Sequence, residues 1–377
     1  MKDIFLLITT VPQSLNFYKG QVQVLKSKYH IEVASSPGQR LDSFGEVEDV
    51  PVHSVPMKRE ISIFSDLQSL YRLYRLIKKL KPKVVHASTP KAGFLGMLAA
   101  YLNKTPVRIY FVLGLRYEGT KGFKRRFLMW MESLSCKLAT HVFAVSKGTR
   151  KTLLDEKITS KEVRIIWNGS INGINPNQFD VKATPKAAID HSLIPEGSFV
   201  FGYVGRLVGD KGTNELIEAF TTLHQSHPEI RLLLIGDFED VQDPVSDRTR
   251  SLIKNHSAII YAGYQSDVKP FFKLMDVFVF PSYREGFGMV VMEAAAMEKP
   301  VICSDITGCN EIIIDGQTGI LIPPRSTEML LRAMNSLRTR PELLEKLSTN
   351  ARESVIQRYE QQTLWKHSLE AYREITT

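Results

Sequence analysis

Residues 277–297 read VFVFPSYREGFGMVVMEAAAM, and they predict a strand, a glycine-bearing loop and the start of a helix. The apolar run Val277 to Pro281 is typical of a buried strand. In the loop two glycines flank an aromatic residue, and Glu285 precedes Glu293 by eight positions. Backbone N–H groups at such a helix start can bind an anion, and Glu285 can reach the hydroxyl groups of a ligand. The purely structural alternative is a buried strand, a turn and a helix that carries two surface glutamates.

A second strand runs into a glycine-rich loop at residues 199–212, FVFGYVGRLVGDKG. Thr213 is expected to cap a helix that continues to Phe220. Arg206 supplies a planar fork of donors and Lys211 a point charge, a combination that suits a diphosphate. The loop is neither the G-x-G-x-x-G of dinucleotide-binding proteins nor a P-loop. A solvated turn with two surface cations is the alternative interpretation.

Strand-like runs alternate with helical stretches along the whole chain, which predicts parallel sheets covered by helices on both faces. In the first half the predicted strands are 4–9, 31–35, 84–86, 108–113, 141–145 and 163–166. In the second half they are 199–204, 231–236, 259–263, 277–281, 301–303 and 319–322. Two such sets in 377 residues predict two doubly wound α/β domains, joined by a linker within residues 168–194.

The charge of the chain is unevenly distributed. Residues 1–175 carry 28 Lys and Arg against 13 Asp and Glu, a net +15, whereas the remainder carries 21 against 27, a net −6. This asymmetry favours a polyanion or an anionic membrane surface as partner of the first half. Nucleic acid is the rival partner, but no zinc-finger spacing or RNP-type aromatic motif supports it. The cluster Lys124 to Arg126, beside the amphipathic stretch 123–138, is one candidate membrane contact.

The remaining composition fits a cytoplasmic enzyme. The three cysteines form no C-x-x-C pair, so neither a disulfide framework nor a zinc site is indicated. The apolar run near the N-terminus, Ile4 to Ile8, is interpreted as a first strand and not as a signal peptide. The longest uncharged apolar stretch, residues 92–103, is too short to span a bilayer.

The two motifs together resemble the retaining GT-B glycosyltransferases of glycosyltransferase family 4 (GT4), also called glycosyl transferases group 1. Glu285 and Glu293 resemble the E-x7-E signature of that family, and Gly205 to Gly212 resembles its G-R-x-x-x-x-K-G element. The resemblance implies two Rossmann-like domains facing a cleft. Residues 1–175 with a crossover helix at about 356–377 would bind the acceptor, and residues 176–355 the nucleotide sugar.

The resemblance also implies roles for individual residues. Arg206 and Lys211 would grip the diphosphate, Glu285 would orient sugar hydroxyls, and these three are the expected catalytic residues. Glu293 would hold the ribose hydroxyls. The full expected donor site comprises Gly205, Arg206, Lys211, Asp237, Tyr264, Val268, Glu285, Gly286, Phe287, Gly288, Met289 and Glu293. The expected acceptor contacts are His86, Lys91 and Arg116, and neither a metal nor a cofactor is expected.

The function implied by the resemblance is retaining transfer of a hexosyl or N-acetylhexosaminyl group from a UDP-sugar. The implied acceptor is an undecaprenyl-pyrophosphate-linked saccharide at the cytoplasmic face of the plasma membrane, in the synthesis of bacterial surface polysaccharide. A non-hydrolysing UDP-sugar epimerase of the same fold is one alternative. A non-catalytic nucleotide-sugar-binding protein of a polysaccharide assembly complex is another.

Overall fold

The computed structural model describes residues 2–58, 60, 62–189, 192–240 and 243–376. Contacts divide the chain into two compact units. The first unit comprises residues up to Gly173 together with those from Gln361 onward, and the second comprises Ile174–Glu360. The boundaries expected from the sequence were 175/176 and 355/356.

The first unit is built on a parallel sheet of seven strands. The strands are β1 (Ile4–Ile8), β2 (His30–Ser35), β3 (Val52–Ser54), β4 (Val84–Ser88), β5 (Val107–Val112), β6 (His141–Ala144) and β7 (Val163–Arg164). Their order across the sheet is β3-β2-β1-β4-β5-β6-β7. The short edge strand β3 was not predicted, because its three residues, of which none is buried, carry no apolar run.

The second unit contains a parallel sheet of six strands. They are β8 (Phe199–Val204), β9 (Ile230–Ile235), β10 (Ile259–Tyr261), β11 (Val277–Phe280), β12 (Val301–Ser304) and β13 (Gly319–Ile322). The order β10-β9-β8-β11-β12-β13 repeats the order of the first six strands of the other sheet. In both sheets the order in which strands are added reverses between the first strand and the fourth strand, which are neighbours. Ligands bind beyond the carboxyl ends of strands at such switch points.

Helices connect the strands in both units. In the first unit they are α1 (Gln21–Leu25), α2 (Gln39–Glu48), α3 (Ile63–Leu80), α4 (Pro90–Leu102), α5 (Gly122–Leu138) and α6 (Lys147–Asp155). In the second they are α7 (Thr213–Ser226), α8 (Asp247–Asn255), α9 (Lys269–Phe272), α10 (Met289–Ala296), α11 (Thr327–Thr339) and α12 (Pro341–Tyr359). Helix α13 (Gln361–Glu374) returns to the first unit. Short 3₁₀ turns cover Pro12–Tyr18, Arg116–Gly119 and Gly209–Lys211.

Helix α13 is an integral part of the first unit, since it buries Leu364, Trp365 and Tyr372 there. The indole N–H of Trp365 donates to the side-chain oxygen of Asn172 at 2.8 Å. The backbone at Gly20 approaches the Trp365 ring so closely that a Cβ there would lie 2.5 Å from it. Residues near the end of the chain therefore complete the core of a unit that begins at its start.

Helix α4 lies between α3 and α5 over the first sheet, and most of its residues are buried. Gly93 allows this close packing, because a Cβ at that position would overlap the ring of Tyr110 on β5. The Tyr110 hydroxyl donates to Glu132 of α5 at 2.7 Å, which leaves the ring little freedom to move. Among the described residues, the structure has no helix that is both long and apolar enough to cross a membrane.

Replacing Gly93 by Ala should lower the free energy of unfolding by about 1–3 kcal/mol, since an added methyl group overpacks the layer against Tyr110. The matched control is Gly96→Ala, one turn along the same helix. A Cβ there meets only side-chain methyl groups, at 3.2 and 3.3 Å. The helix-propensity gain of about 1 kcal/mol should offset that contact. Denaturant unfolding followed by tryptophan fluorescence measures both variants, and equal stabilities would show that the Gly93 contact relaxes freely.

Candidate active site

Three neighbouring strand ends in the second unit continue as closely packed loops. The N–H of Gly205 after β8 donates to the carbonyl of Ile235 at 2.9 Å, and the N–H of Gly236 after β9 donates to that of Gly263 at 2.8 Å. Gly236 has φ +132°, and a Cβ there would overlap the carbonyl oxygen of Gly205. Only glycine permits this approach. The side chains that follow each strand are therefore brought to the same edge of the sheet.

These loops surround a surface depression of about 460 Å³. Five residues of the expected donor site line it: Gly205, Arg206, Asp237, Tyr264 and Val268. A carboxylate oxygen of Asp237 accepts a hydrogen bond from the backbone N–H of Tyr264 at 3.2 Å, which joins the loops after β9 and β10. The Tyr264 ring is exposed, so one of its faces is accessible to a planar ligand.

Arg206 lies at the rim of this depression with about half of its side chain exposed. Its guanidinium pairs with Glu239, a residue that the sequence did not single out. The pair is solvent-accessible, and exposed ion pairs of this kind are weak, about 0–1 kcal/mol. An anionic ligand at the rim can therefore compete for Arg206 at little cost.

Lys211 and Glu285 meet where the loops after β8 and β11 come together. The Lys211 ammonium donates to a carboxylate oxygen of Glu285, and both side chains are mostly buried. The contact depends on Gly212, whose φ is +69° and whose Cβ would overlap the carbonyl oxygen of Pro281. Two residues predicted separately, 74 positions apart, are thus direct partners.

Gly212 also changes the predicted helix start. The structure makes Gly212 the N-cap of α7, and Thr213 is the first helical residue and is buried. The helix continues to Ser226, beyond the predicted end at Phe220. A left-handed cap that must fit against Pro281 requires glycine, and this requirement overrides the capping preference of threonine.

A second ion pair runs beside the first and was missed by the sequence interpretation. Arg284 donates to Asp210 at 2.7 Å, and the N–H of Tyr283 donates to the Asp210 carbonyl at 2.8 Å. The side chain of Asp243 accepts from the N–H of Asp210 at 2.5 Å. The sequence did contain a signal for this second pair. Asp210 precedes Lys211 and Arg284 precedes Glu285, so the acidic and basic residues of one loop match the basic and acidic residues of the other. These contacts fix the two loops that carry Lys211 and Glu285.

Residues 286–289 lead into helix α10, which begins at Met289 and is capped by Gly288 without a side-chain hydrogen bond. Phe287 is buried edge-on against Tyr359, with ring centroids 5.3 Å apart. The N–H of Gly288 donates to the carbonyl of Gly308 at 3.3 Å. Because the Phe287 ring points inward, any ligand contact at this position is made by its backbone.

Glu293 lies in the second turn of α10 and is half-buried. Burial raises its pKa to about 7, the ammonium of Lys269 opposes that rise and Asp267 adds to it. Lys269 and Asp267 flank Val268, which lines the depression. Glu293 therefore changes its charge near neutral pH, under the influence of two charged residues that flank the depression.

The residues expected to contact an acceptor separate into two groups in the first unit. Lys91, at the start of α4, and Arg116 line a common small cavity of about 20 Å³ with Tyr117 and Glu132. The Lys91 ammonium is buried, donates to Asp66 at 2.7 Å and also donates to the carbonyl of Glu60.

His86 does not belong to that group, and its expected acceptor contact is corrected by the structure. It sits inside β4 with only 1% of its surface exposed, packed among aromatic rings. Its Nε2 lies 3.1 Å from the hydroxyl of Tyr372 on α13. Burial lowers the pKa of His86 to about 3, so the ring is a neutral core residue at physiological pH.

Within the described ranges, no group of three or more His, Cys, Asp or Glu residues is placed to hold a metal ion. The site instead carries the cations Arg206 and Lys211, which are paired with the carboxylates of Glu239 and Glu285. Such an arrangement can bind a ligand whose anionic groups contact the cations and whose hydroxyl groups donate to the carboxylates.

Comparison with known proteins identifies the class. The profile described as "Glycosyl transferases group 1" matches residues 186–354, and that of the "Glycosyl transferase 4-like domain" matches residues 21–169. The capsular polysaccharide biosynthesis glycosyltransferase CapM of Staphylococcus aureus is 33% identical over 367 residues, which covers 97% of this chain and 95% of the relative. The chain therefore belongs to the glycosyl transferases group 1 family and is a glycosyltransferase.

Two further comparisons agree with this. The UDP-Gal:alpha-D-GlcNAc-diphosphoundecaprenol alpha-1,3-galactosyltransferase of Escherichia coli is 28% identical over 305 residues, covering 79% of this chain and 77% of the relative. The crystal structure of Anabaena HepE in complex with UDP superimposes with a TM-score of 0.78 at 19% identity, covering 99% of this chain and all of that one. The predicted GT-B fold, with two parallel-sheet Rossmann-like domains, is confirmed.

The raised pKa of Glu293 predicts a pH-dependent stability of the second unit. A carboxyl group whose pKa rises from 4.5 to about 7 on folding stabilises the fold fully below pH 4.5, and this contribution is lost as pH rises through 7. Glu293→Gln should remove on the order of 2 kcal/mol of the change in the free energy of unfolding across this pH range. This is less than the whole pKa shift would correspond to, because the side chain is only half-buried and solvent screens its charge.

All three tryptophans, Trp130, Trp167 and Trp365, lie in the first unit, so fluorescence follows that unit while circular dichroism follows both. Denaturant unfolding between pH 4.5 and 7.5, monitored by both signals, isolates the second transition. Glu298→Gln, at an exposed glutamate just after the same helix, is the control and should keep the wild-type pH profile. Identical profiles for wild type and Glu293→Gln would contradict the raised pKa.

Proposed function

We propose that the protein is a retaining glycosyltransferase that transfers a sugar from a UDP-sugar to an undecaprenyl-pyrophosphate-linked saccharide, in the synthesis of a bacterial surface polysaccharide. The name of the E. coli relative includes a UDP-sugar and a diphosphoundecaprenol acceptor, and the S. aureus relative is named for capsule synthesis. A Campylobacter jejuni relative, 24% identical over 84% of both chains, is likewise named for transfer to a diphospho-undecaprenol. These names and the site geometry support the same substrate classes.

The observation that carries the donor proposal is the position of Lys211 and Glu285 at the switch point of the second sheet, beside the depression lined by Arg206, Asp237 and Tyr264. We place the uridine in that depression, with its base against Tyr264 and Val268 and its ribose hydroxyls at Glu293. The diphosphate then lies toward Arg206 and Lys211, and the sugar toward Glu285. The backbone of Gly286 to Met289 lines the sugar and the phosphate.

Donor binding on this proposal involves an exchange of charge partners. Lys211 pairs with Glu285, and Arg206 pairs with Glu239. A diphosphate offers each cation several anionic oxygens, so it can replace the single carboxylate as a charge-assisted partner. Its arrival releases Glu285, whose carboxylate can then accept hydrogen bonds from the sugar hydroxyls.

The same cations act on the leaving group. As the bond between the anomeric carbon and the diphosphate oxygen lengthens, negative charge develops on the diphosphate, and preorganised cations stabilise that charge without reorganisation. We propose that these two side chains supply the countercharge and that no divalent metal is needed. We assign no side chain as a nucleophile, so an acceptor hydroxyl attacks the anomeric carbon from the face that the diphosphate leaves. As its bond to the anomeric carbon forms and the bond to the diphosphate breaks, the hydroxyl proton passes to the leaving diphosphate oxygen.

The first unit is proposed to bind the acceptor, with Lys91 and Arg116 toward its pyrophosphate. Both line one cavity at the carboxyl edge of the first sheet. The net charge of +15 on residues 1–175 favours an anionic membrane surface as the site of action. We therefore place the protein at the cytoplasmic face of the plasma membrane as a peripheral protein.

Lys211→Ala should weaken UDP binding by roughly 1.5–3 kcal/mol, since one charge-assisted contact to the diphosphate is lost. Calorimetry measures the UDP affinity of both proteins. With EDTA in the buffer, the same experiment tests whether UDP binding requires a divalent metal. Uridine, which lacks the diphosphate, should bind wild type and variant alike. Lys254→Ala, at an exposed lysine of α8, is the matched control. Unchanged UDP affinity in Lys211→Ala would remove Lys211 from the diphosphate site.

Glu285→Gln should lower turnover by roughly 100-fold, because a group that orients the sugar in the transition state loses its charge. Its UDP affinity should stay unchanged or increase, since Lys211 is freed from its partner. Turnover is measured as slow hydrolysis across a panel of UDP-sugars, which also identifies the donor. A parallel loss of UDP affinity and turnover would exclude Glu285 from the sugar site.

A further inference from the structure

Helix α3 presents a second apolar face that the fold leaves uncovered. Its inner face packs into the core of the first unit through Leu73 and Ile77. The opposite face begins with four large apolar side chains that are 58–85% exposed: Ile63, Phe64, Leu67 and Tyr71. They fall on one side of the first turns of the helix. A contiguous exposed apolar patch of this kind marks an interaction surface.

The same outer face becomes basic toward the end of the helix. Its exposed residues there are Arg72, Arg75, Lys78 and Lys79. Asp66 is the acidic residue in the sequence of α3, and its side chain pairs with the buried Lys91 at 2.7 Å. The outer face therefore combines an apolar end with a cationic end, and its cations are not offset by a carboxylate on the same face.

The position of this face follows from the direction of the helices. Helices between parallel strands run opposite to the strands, so α3, α4 and α5 begin at the carboxyl edge of the first sheet. The Lys91–Asp66 pair joins the first turns of α3 and α4. The apolar patch therefore lies next to Lys91, which the proposed function directs, together with Arg116, toward the acceptor pyrophosphate.

We infer that the outer face of α3 docks on a bilayer of anionic phospholipid, with Phe64 and Leu67 among the residues that enter the boundary between headgroups and acyl chains. The basic residues of the later turns contact headgroup phosphates. This inference rests on the proposed function, because a lipid-linked acceptor brings the enzyme to such a surface. It assigns the main membrane contact to α3, whereas the sequence pointed to α5.

Two features favour lipid over a protein partner. The first is that the exposed side chains of α3 change from apolar to cationic along a helix of about 27 Å. A helix tilted in a bilayer surface meets the same change, from the boundary of the acyl chains to the layer of headgroup phosphates. The start of α5 adds Phe123, which is 83% exposed, beside the exposed cations Lys124 and Arg126. The combination of apolar anchors with nearby cations thus recurs at the same edge of the sheet.

The test compares two double variants of the full chain in a sedimentation assay with phosphatidylglycerol vesicles. Phe64→Ser with Leu67→Ser should lower vesicle binding by roughly tenfold or more, since two apolar anchors are removed. The matched control is Val47→Ser with Leu102→Ser. Those residues are 65% and 52% exposed in the last turns of α2 and α4, at the opposite edge of the sheet. The control should bind vesicles like the wild type.

A charge variant completes the experiment. Arg75→Gln with Lys79→Gln should weaken binding to phosphatidylglycerol at low salt and reduce its salt dependence, because exposed charges are screened over about 8–10 Å at moderate ionic strength. Binding to neutral phosphatidylcholine vesicles should be weak for every variant. Thermal unfolding of each variant identifies any that fails to fold, and Phe64→Ser alone then replaces the double variant.

Three results would overturn the inference. In the first, the wild type does not bind phosphatidylglycerol vesicles at low salt. In the second, the two apolar double variants lose vesicle binding to the same extent. In the third, the wild type is a dimer that becomes monomeric only in the Phe64 and Leu67 double variant, which still binds vesicles. The last result would assign the face to a second copy of this chain. UDP affinity is measured in parallel by calorimetry. Intact UDP binding with failed vesicle binding removes only the docking surface, whereas lost UDP binding in the wild type removes the proposed function.

Discussion

All strand pairings in both sheets are parallel, and the arrangement of the functional residues depends on this constraint. Parallel strands cannot be joined by tight turns, so a longer connection, which contains a helix everywhere except between β12 and β13, returns the chain to the edge where the next strand begins. Every loop that follows a strand therefore lies at one edge, where residues distant in sequence meet. Lys211 and Glu285 are partners for this reason.

The fold was largely predictable because buried parallel strands leave a strong sequence signal. Twelve runs of apolar residues were identified as strands, and each corresponds to a strand of the structure. Edge strand β3 was missed because it is short and half-exposed and lacks such a run. The start of helix α10 was also predicted, and the helix begins at Met289 directly after its glycine cap at Gly288.

The residues of the candidate site were predictable where they directly follow strands. They were less predictable where contacts between distant segments determine their position. Arg206, Asp237 and Tyr264 each follow a strand, and they line one depression. The pairing of Asp210 with Arg284 depends on how two loops approach each other, which one segment alone does not specify. His86 shows how tertiary packing overrides such a prediction, since it was expected to contact the acceptor and is instead 1% exposed. Its position under Tyr372 requires a helix more than 280 positions away.

The return of α13 to the first unit has a consequence for how the chain is made. Domains generally fold as units, N-terminal ones first, while synthesis proceeds. Here the first unit cannot be finished in that order, because Trp365 and Tyr372 are translated only after the whole second unit. Until then Gly20 and His86 face the space that these side chains will fill. The unit translated first is the last to be completed, so nascent chains that stop before Gln361 carry an open aromatic core for chaperones or proteases to recognise.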